Sequence, residues 1–497
     1  MLLLVVSLGD LGGAATRGAV DYKRLPDRAA RGYSVSVADL NADAKPDFVS
    51  CWFDFFLVHL GISAGRYGSP MARPVAHYCD DTAVADVDDD GDLDVLVAAL
   101  DELHEGQLIV YRGAGDGTLE HLDTYATAST WAIAVGDVNG DGAVDAVLTG
   151  ENPHGVVVFI GNGDGSFEPP VTFPLSDNPD DLAVADLDRD GIDDIVALGR
   201  GSIDLWVYRG VRDALPAPLP ARTLPRPAEK LAVGNLVPGP SLDVALVADH
   251  KRGTLILKGN ESMDFVLRAR LSSEPHGASS ITVADLNGDA RLDVAAGFNY
   301  GLYTYFNRGR RGFTRPIVYS IGYIEDVGGG FGTFVDADTV ASADLDGDAA
   351  TDLFVAARRY ETFLQRRRRT RCRGRVANVI GSSAKDFFFV RTPFRVVMRA
   401  GSGPDAATTS QFNDLACLGR GADRQSGLRG DDRIYGGAGD DNIRGGPGDD
   451  LLIGGPGHDL CTGGTGTDVS VKCEGEDPRQ RLHRRLTPRH AADLHAR

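Results

Sequence analysis

The chain has no cysteine pair at metal or redox spacing, no membrane-length apolar run and no surplus of positive charge. Its six cysteines, Cys51, Cys79, Cys372, Cys417, Cys461 and Cys473, include no CxxC, which argues against a zinc site or a thiol redox motif. No stretch approaches the twenty apolar residues of a spanning helix. The N-terminal MLLLVVSL lacks a basic lead and a cleavage site, and it reads as a strand similar in context to VVVFIGNGD. A missing signal at this start is no argument for a cytoplasmic protein. The formal charge is −20, which disfavours nucleic acid as a partner. Outside the acidic loops described next, no His, Glu or Lys constellation stands out, so catalysis is not expected.

Most of that acidity recurs in register. Seven segments share one wording, among them VADVDDDGDLDVLV, VGDVNGDGAVDAVL and VADLDRDGIDDIVA, spaced 47 to 59 residues apart. A period near fifty with strand and turn signals in each unit indicates a propeller or solenoid. Small residues (Ala38, Ala85, Gly136, Ala185, Gly234, Ala284, Ala343) precede each loop, as innermost strands crowding an axis require. A β-branched run follows each loop, and turns such as GAGDG and GNGDG close a second hairpin.

The loop follows D-x-[DN]-x-D-G-x-x-D. Alternate oxygens in a tight loop converge on one point, which suits a hard cation with six or seven oxygen ligands. Six copies keep four ligands: Asp39, Asn41, Asp43 and Asp47; Asp86, Asp88, Asp90 and Asp94; Asp137, Asn139, Asp141 and Asp145. The others are Asp186, Asp188, Asp190 and Asp194; Asp285, Asn287, Asp289 and Asp293; Asp344, Asp346, Asp348 and Asp352. The fifth copy reads Asn235, Val237, Gly239 and Asp243 and is expected to be metal-free. Ala44, Ala290 and Ala349 replace the turn glycine and should weaken their sites, because a Cβ is penalised at positive φ. The acid at position nine and the following strand exclude an EF-hand. Metal-free Asx-turns are the plainer alternative, but four acids at one spacing in six copies favour the cation.

These units resemble the FG-GAP/VCBS repeats of integrin α-type seven-bladed propellers over residues 1–370. The resemblance implies Ca²⁺ in the loop between the first two strands of a blade. It also implies an N-terminal strand, within 2–22, that completes the last blade.

From residue 400 the period falls to nine. GGAGDDNIR, GGPGDDLLI, GGPGHDLCT and GGTGTDVSV begin at Gly436, Gly445, Gly454 and Gly463, with weaker copies upstream at 400 and 409. They resemble RTX, or haemolysin-type, repeats, which implies a parallel β-roll with Ca²⁺ held by turn carbonyls and sixth-position aspartates. Those are Asp423, Asp432, Asp441, Asp450, Asp459 and Asp468, with Ile434, Ile443 and Leu452 in the core. A disordered glycine-rich linker would not keep Asp and an apolar residue in strict register.

The expected chain is all-β: a seven-bladed β-propeller (1–370), an arginine-rich linker (371–399), a separate short parallel β-roll (400–475) and a basic disordered tail (476–497). Cys51 and Cys79 are read as buried free thiols, while Cys461 and Cys473 are close enough in sequence to pair in an oxidising compartment. Gly61–Gly65 (GISAG) matches a hydrolase elbow but sits where other units have hairpin turns. HEGQL at 104–108 lacks the second histidine of a zincin, and Arg429-Gly430-Asp431 falls inside the nonapeptide register. The function expected is a secreted or surface-displayed Ca²⁺-binding protein in adhesion or matrix recognition, with a protein or glycan ligand. An extracellular propeller enzyme of the polysaccharide lyase or esterase type, or a purely structural exoprotein, are the alternatives.

Overall fold

The computed structural model describes residues 21–24 and 34–476, except 64–65, 76, 128–129, 152, 200–201, 249–252, 272–277, 299–300, 320–322, 325–332, 335–338, 346–350, 357–360, 367–369, 382–384 and 391–394. Among them the structure is strands and turns, with a single 3₁₀ turn at Gly309–Arg311. Asp346, Asp348, Ala349, the 2–20 segment and the tail beyond 476 lie outside the described residues.

Among the described residues, five four-stranded antiparallel sheets, a five-stranded one (the fourth) and four antiparallel strands that open a longer sheet (the sixth) follow one another. The second is typical: Tyr78–Ala85, Asp94–Leu100, Gly106–Gly113 and Leu119–Thr127 pair in order. The first strand of each sheet packs on the first strand of the next, and Thr339–Ala343 of the seventh returns to Val35–Ala38 of the first. That is the closed ring of a propeller. The crowding inferred from the small residues is real: a Cβ on Gly136 would lie 2.5 Å from Val184 Cγ1 of the neighbouring sheet. The seventh sheet is completed by Asp21–Arg24, which pairs antiparallel with Glu361–Arg366. Closure by an early strand is therefore present, at the end of the expected segment and beyond.

The core lies between sheets, where the β-branched runs alternate. Val95, Leu96, Val97, Ala98 and Ala99 are all fully buried, because a blade is covered on both faces. Gly61–Ser63 pairs antiparallel with Arg66–Tyr67, the two strands flanking residues 64–65, so no helix follows as a hydrolase elbow would need.

The roll is not the separate body expected. Ile317–Tyr319, the outer strand of the sixth sheet, pairs in parallel with Val379–Ile380, which pairs in parallel with Val397–Ser402. Parallel stacking thus begins within the segment expected to be a linker. An outer blade strand has an unpaired edge, and the linker supplies its partner. From there two parallel sheets run to Val469–Val471 and Gly475–Glu476. Their inward residues Met398, Ala416, Ile434 and Leu452 meet Phe388, Ala407, Ile443 and Cys461.

All six cysteines are paired, so the free-thiol reading of Cys51 and Cys79 is corrected. Their bond joins the second strand of the first sheet to the first strand of the second sheet. Cys372–Cys417 fastens the hairpin Arg371–Val376 to the roll, and Cys461–Cys473 closes its far end as proximity suggested. Sequence gave no pairing rule for the first two, since both join segments that only the fold brings together.

Candidate metal centres

Each acidic loop joins the first and second strands of its sheet, and its ninth residue opens the second strand. That aspartate is fully buried in all seven copies, including Asp243 of the degenerate fifth. Asp94 shows the reason. Its Oδ2 accepts the Val87 N–H at 2.8 Å and its Oδ1 accepts the Gly113 N–H at 2.8 Å, tying the loop to the third strand. Asp145, Asp194 and Asp293 repeat both bonds. Burial pushes these carboxyls up, Asp94 to about 6 and Asp293 to about 8, although the backbone donors pull the other way.

The second loop position completes the anchor. Leu40, Val87, Val138, Leu187, Leu236, Leu286 and Leu345 are all buried. Sequence reading passed over them, yet the signal was present: the residue after the first Asp or Asn is Leu or Val in every copy.

The remaining acids face the loop centre. Oxygens of Asp86, Asp88 and Asp94 lie within 4.8 Å of one another, as do those of Asp186, Asp188 and Asp194. Asp86 Oδ1, Asp88 Oδ1 and Asp188 Oδ1 are buried without a hydrogen-bond partner, an arrangement that a cation would satisfy. Asp90 and Asp190 are not in these groups. Instead Asp90 Oδ1 accepts the Asp92 N–H at 2.9 Å, and Asp190 Oδ1 accepts the Ile192 N–H at 3.0 Å. In the other loops Asp39, Asp137 and Asp285 likewise take backbone N–H groups of their own turns. Cationic side chains lean in: Arg112 pairs with Asp88, Arg209 with Asp188 at 2.8 Å, Lys45 with Asp43 at 2.5 Å and Arg291 with Asp289. In the fifth loop Lys258 Nζ donates to the Pro238 carbonyl at 3.2 Å, placing an ammonium where other copies present carboxylates.

The turn residue adopts positive φ whether or not it is glycine: 92° at Gly91 and Gly191, 61° at Ala44 and Ala290. Ala290→Gly is therefore expected to stabilise the fold by about 0.5–1 kcal/mol, read as a rise in melting temperature. A fall would show that the alanine carries no strain.

In the roll the sixth-position aspartates form two columns. Along one, the N–H of Asp405, Asp423 and Asp441 donates to Oδ1 of Asp423, Asp441 and Asp459, eighteen residues on, at 2.8–3.0 Å. Along the other, Asp414, Asp432 and Asp450 donate to Asp432, Asp450 and Asp468 at 2.8–3.0 Å. Asp386, outside the nonapeptide register, donates to Asp405 at 2.8 Å. Asp386, Asp405 and Asp414 are thus column members absent from the sequence-based set; the last two lie in the degenerate copies at 400 and 409.

The second oxygen of each carboxylate decides what the columns can hold. Oδ2 of Asp405, Asp423, Asp432, Asp441, Asp450 and Asp459 is buried with no partner. It fills the space left by the first glycine of a repeat. A Cβ on Gly436 would lie 2.3 Å from Asp441 Oδ2 and 2.7 Å from the Gly454 carbonyl oxygen. At Gly427, Gly436 and Gly454 a carboxylate Oδ2 and a carbonyl oxygen thus both crowd the place a Cβ would take. Burial, with neighbouring carboxylates adding to it, pushes Asp432 up to about 9 and Asp441 and Asp450 to about 7.

A family model described as FG-GAP-like repeat matches residues 86–148 and 137–197, and one described as RTX calcium-binding nonapeptide repeat (4 copies) matches 419–452 and 435–469. The chain carries FG-GAP-like repeats and RTX calcium-binding nonapeptide repeats. The FG-GAP-like match covers loops two to four, those with full ligand sets and turn glycines, and the RTX match covers the regular turns. Among solved structures, BBS1N in complex with ARL6DN, soaked with mercury, is 11% identical, with a TM-score of 0.51 over 70% of this chain and 97% of that chain. The lead-soaked form gives 10% and 0.49 over the same shares. A lectin of Agrocybe aegerita, solved for its recognition of non-reducing terminal N-acetylglucosamine, is 18% identical over 60% of this chain and 80% of its own, with a TM-score of 0.42. At 11% identity the first of these is a likeness of fold. No curated protein matches the chain. No helix among the described residues is long and apolar enough to cross a membrane.

Proposed function

We propose that the chain is an extracellular or surface-displayed calcium-dependent recognition protein, in which Ca²⁺ sets the structure and the repeats present the binding surface. The observation that carries this reading is the pair of aspartate columns with orphaned, buried Oδ2 atoms facing turn carbonyls. Hard oxygen donors in that arrangement suit Ca²⁺, and unpaired buried carboxylates are too costly to keep for nothing. In the propeller, Asp86, Asp88 and Asp94, and Asp186, Asp188 and Asp194, are the best-formed groups. The ninth aspartate there both anchors backbone and faces the ion, since each oxygen has a second lone pair. Three disulfides and no free thiol support an oxidising location.

Calcium titration of the full chain tests the propeller assignment. Asp88→Ala is expected to remove one bound ion while circular dichroism in chelator shows the propeller still folded. Unchanged stoichiometry would count against the loop.

A further inference from the structure

The two outer faces of the roll differ. On the first sheet, the hairpin Arg371–Val376 lies over the face, held by Cys372–Cys417, with the Arg373 guanidinium 4.2 Å from the Tyr435 ring centroid. On the second sheet no described element covers the corresponding face. A groove of about 440 Å³ runs across it, with Phe387, Thr408, Arg424, Ser426, Asn442 and Arg444 along its walls and floor.

Its chemistry is specific. In the parallel register Phe387, Ala406, Arg424 and Asn442 form one outward row, and Thr408, Ser426 and Arg444 the next. Ala406 is small, so the floor dips between the Phe387 ring and the Arg424 guanidinium. Arg424 and Arg444 are exposed, and among the described residues neither guanidinium has an ion-pair or hydrogen-bond partner. The acids that neighbour the row in sequence, Asp423 and Asp441, are buried in a turn column, and their charge does not lie on the face. A chain of net charge −20 thus presents a local cationic groove.

We infer that this groove is a binding site for an anionic polysaccharide, the two arginines taking carboxylate or sulfate groups. Guanidinium forks suit such planar or tetrahedral anions. Hydroxyl and amide groups at Thr408, Ser426 and Asn442 suit sugar hydroxyls, and the Phe387 ring offers an apolar platform. Strands stacked about 4.8 Å apart present these groups at a pitch that an extended glycan can follow. An acidic polypeptide shares the charge but makes less use of the hydroxyl rows. The inference rests on the calcium-folded roll proposed above: bound Ca²⁺ also offsets the carboxylates beneath the groove.

Binding of the full chain, in millimolar Ca²⁺ and low salt, to chondroitin sulfate oligosaccharides, dextran oligosaccharides and polyglutamate tests it. Circular dichroism runs in parallel to show that the roll is folded. Chondroitin sulfate is expected to bind, more weakly as salt rises, and dextran not to bind. The double variant Arg424→Gln/Arg444→Gln should lose at least about tenfold in affinity, the scale of lost charge-assisted hydrogen bonds, with unchanged circular dichroism. Arg429→Gln, exposed in a turn of the same roll, should bind as wild type does. If the double variant misfolds, each single Gln variant carries the same expectation. Full binding by the folded variants, equal binding of dextran, or preference for polyglutamate would overturn the inference. So would no glycan binding by a roll that folds in Ca²⁺, which leaves the calcium reading standing. A roll that does not respond to Ca²⁺ would overturn both.

Discussion

Removing calcium at neutral pH is expected to unfold the roll while the propeller sheets persist. The roll's turns hold two columns of carboxylates, six of which bury an unpaired second oxygen, and its two sheets enclose a narrow core. Without a cation, the charged columns oppose folding, so metal-binding energy serves as folding energy. The sign of the pH dependence follows. Asp432, Asp441 and Asp450 titrate near 9, 7 and 7 in the folded chain, against about 3.9 when unfolded. The folded, metal-free roll therefore binds more protons than the unfolded chain between about pH 4 and those values, and its stability falls as pH rises through that window. In chelator, β-content should return on acidification from pH 8 toward pH 5. Circular dichroism that loses β-content on acidification in chelator would contradict the assignment.

Asp243→Ala is expected to cost about 3 kcal/mol, although its loop is the one expected to hold no ion. Asp243 accepts the Val237 N–H at 2.6 Å and the Gly259 N–H at 3.1 Å and is fully buried. Truncation leaves two buried donors unsatisfied, each costing about 1–3 kcal/mol, beside a cavity at the start of a central strand. Denaturant unfolding should show the loss, with the number of bound ions unchanged. The result separates two roles that the motif superimposes: the ninth aspartate organises the loop, and the first and third complete a cation site. A wild-type midpoint would mean that this carboxylate is retained for something other than the fold.

The period was enough to read the propeller and the roll, because repeats impose one solution on every unit: Ile434, Ile443 and Leu452 are buried as their register required. Long-range partnership was not legible. Nothing in the sequence around Val379 announces that it pairs with Val318 of the sixth sheet, and a dense run of arginines just before it reads as solvated linker. The pairing of Cys51 with Cys79 was hidden for the same reason. The ligand loops were legible as chemistry, yet the division of labour within them was not: spacing treats Asp90 and Asp94 alike, while the fold buries the second against backbone donors and uses the first to cap its own turn. The columns lengthen upstream to Asp386 because strand stacking, not the nonapeptide wording, sets where they end.

Hydrogen exchange on the full chain, read by mass spectrometry with and without calcium, tests the central claim most directly. Amides of 415–471 should be protected in millimolar Ca²⁺ and exchange as open chain in chelator or in Mg²⁺ alone, while 94–99 and 145–149 in the propeller core stay protected throughout. Equal protection of 415–471 in chelator and in Ca²⁺ would contradict the account, because the roll would then fold without the ion its aspartate columns are built to hold.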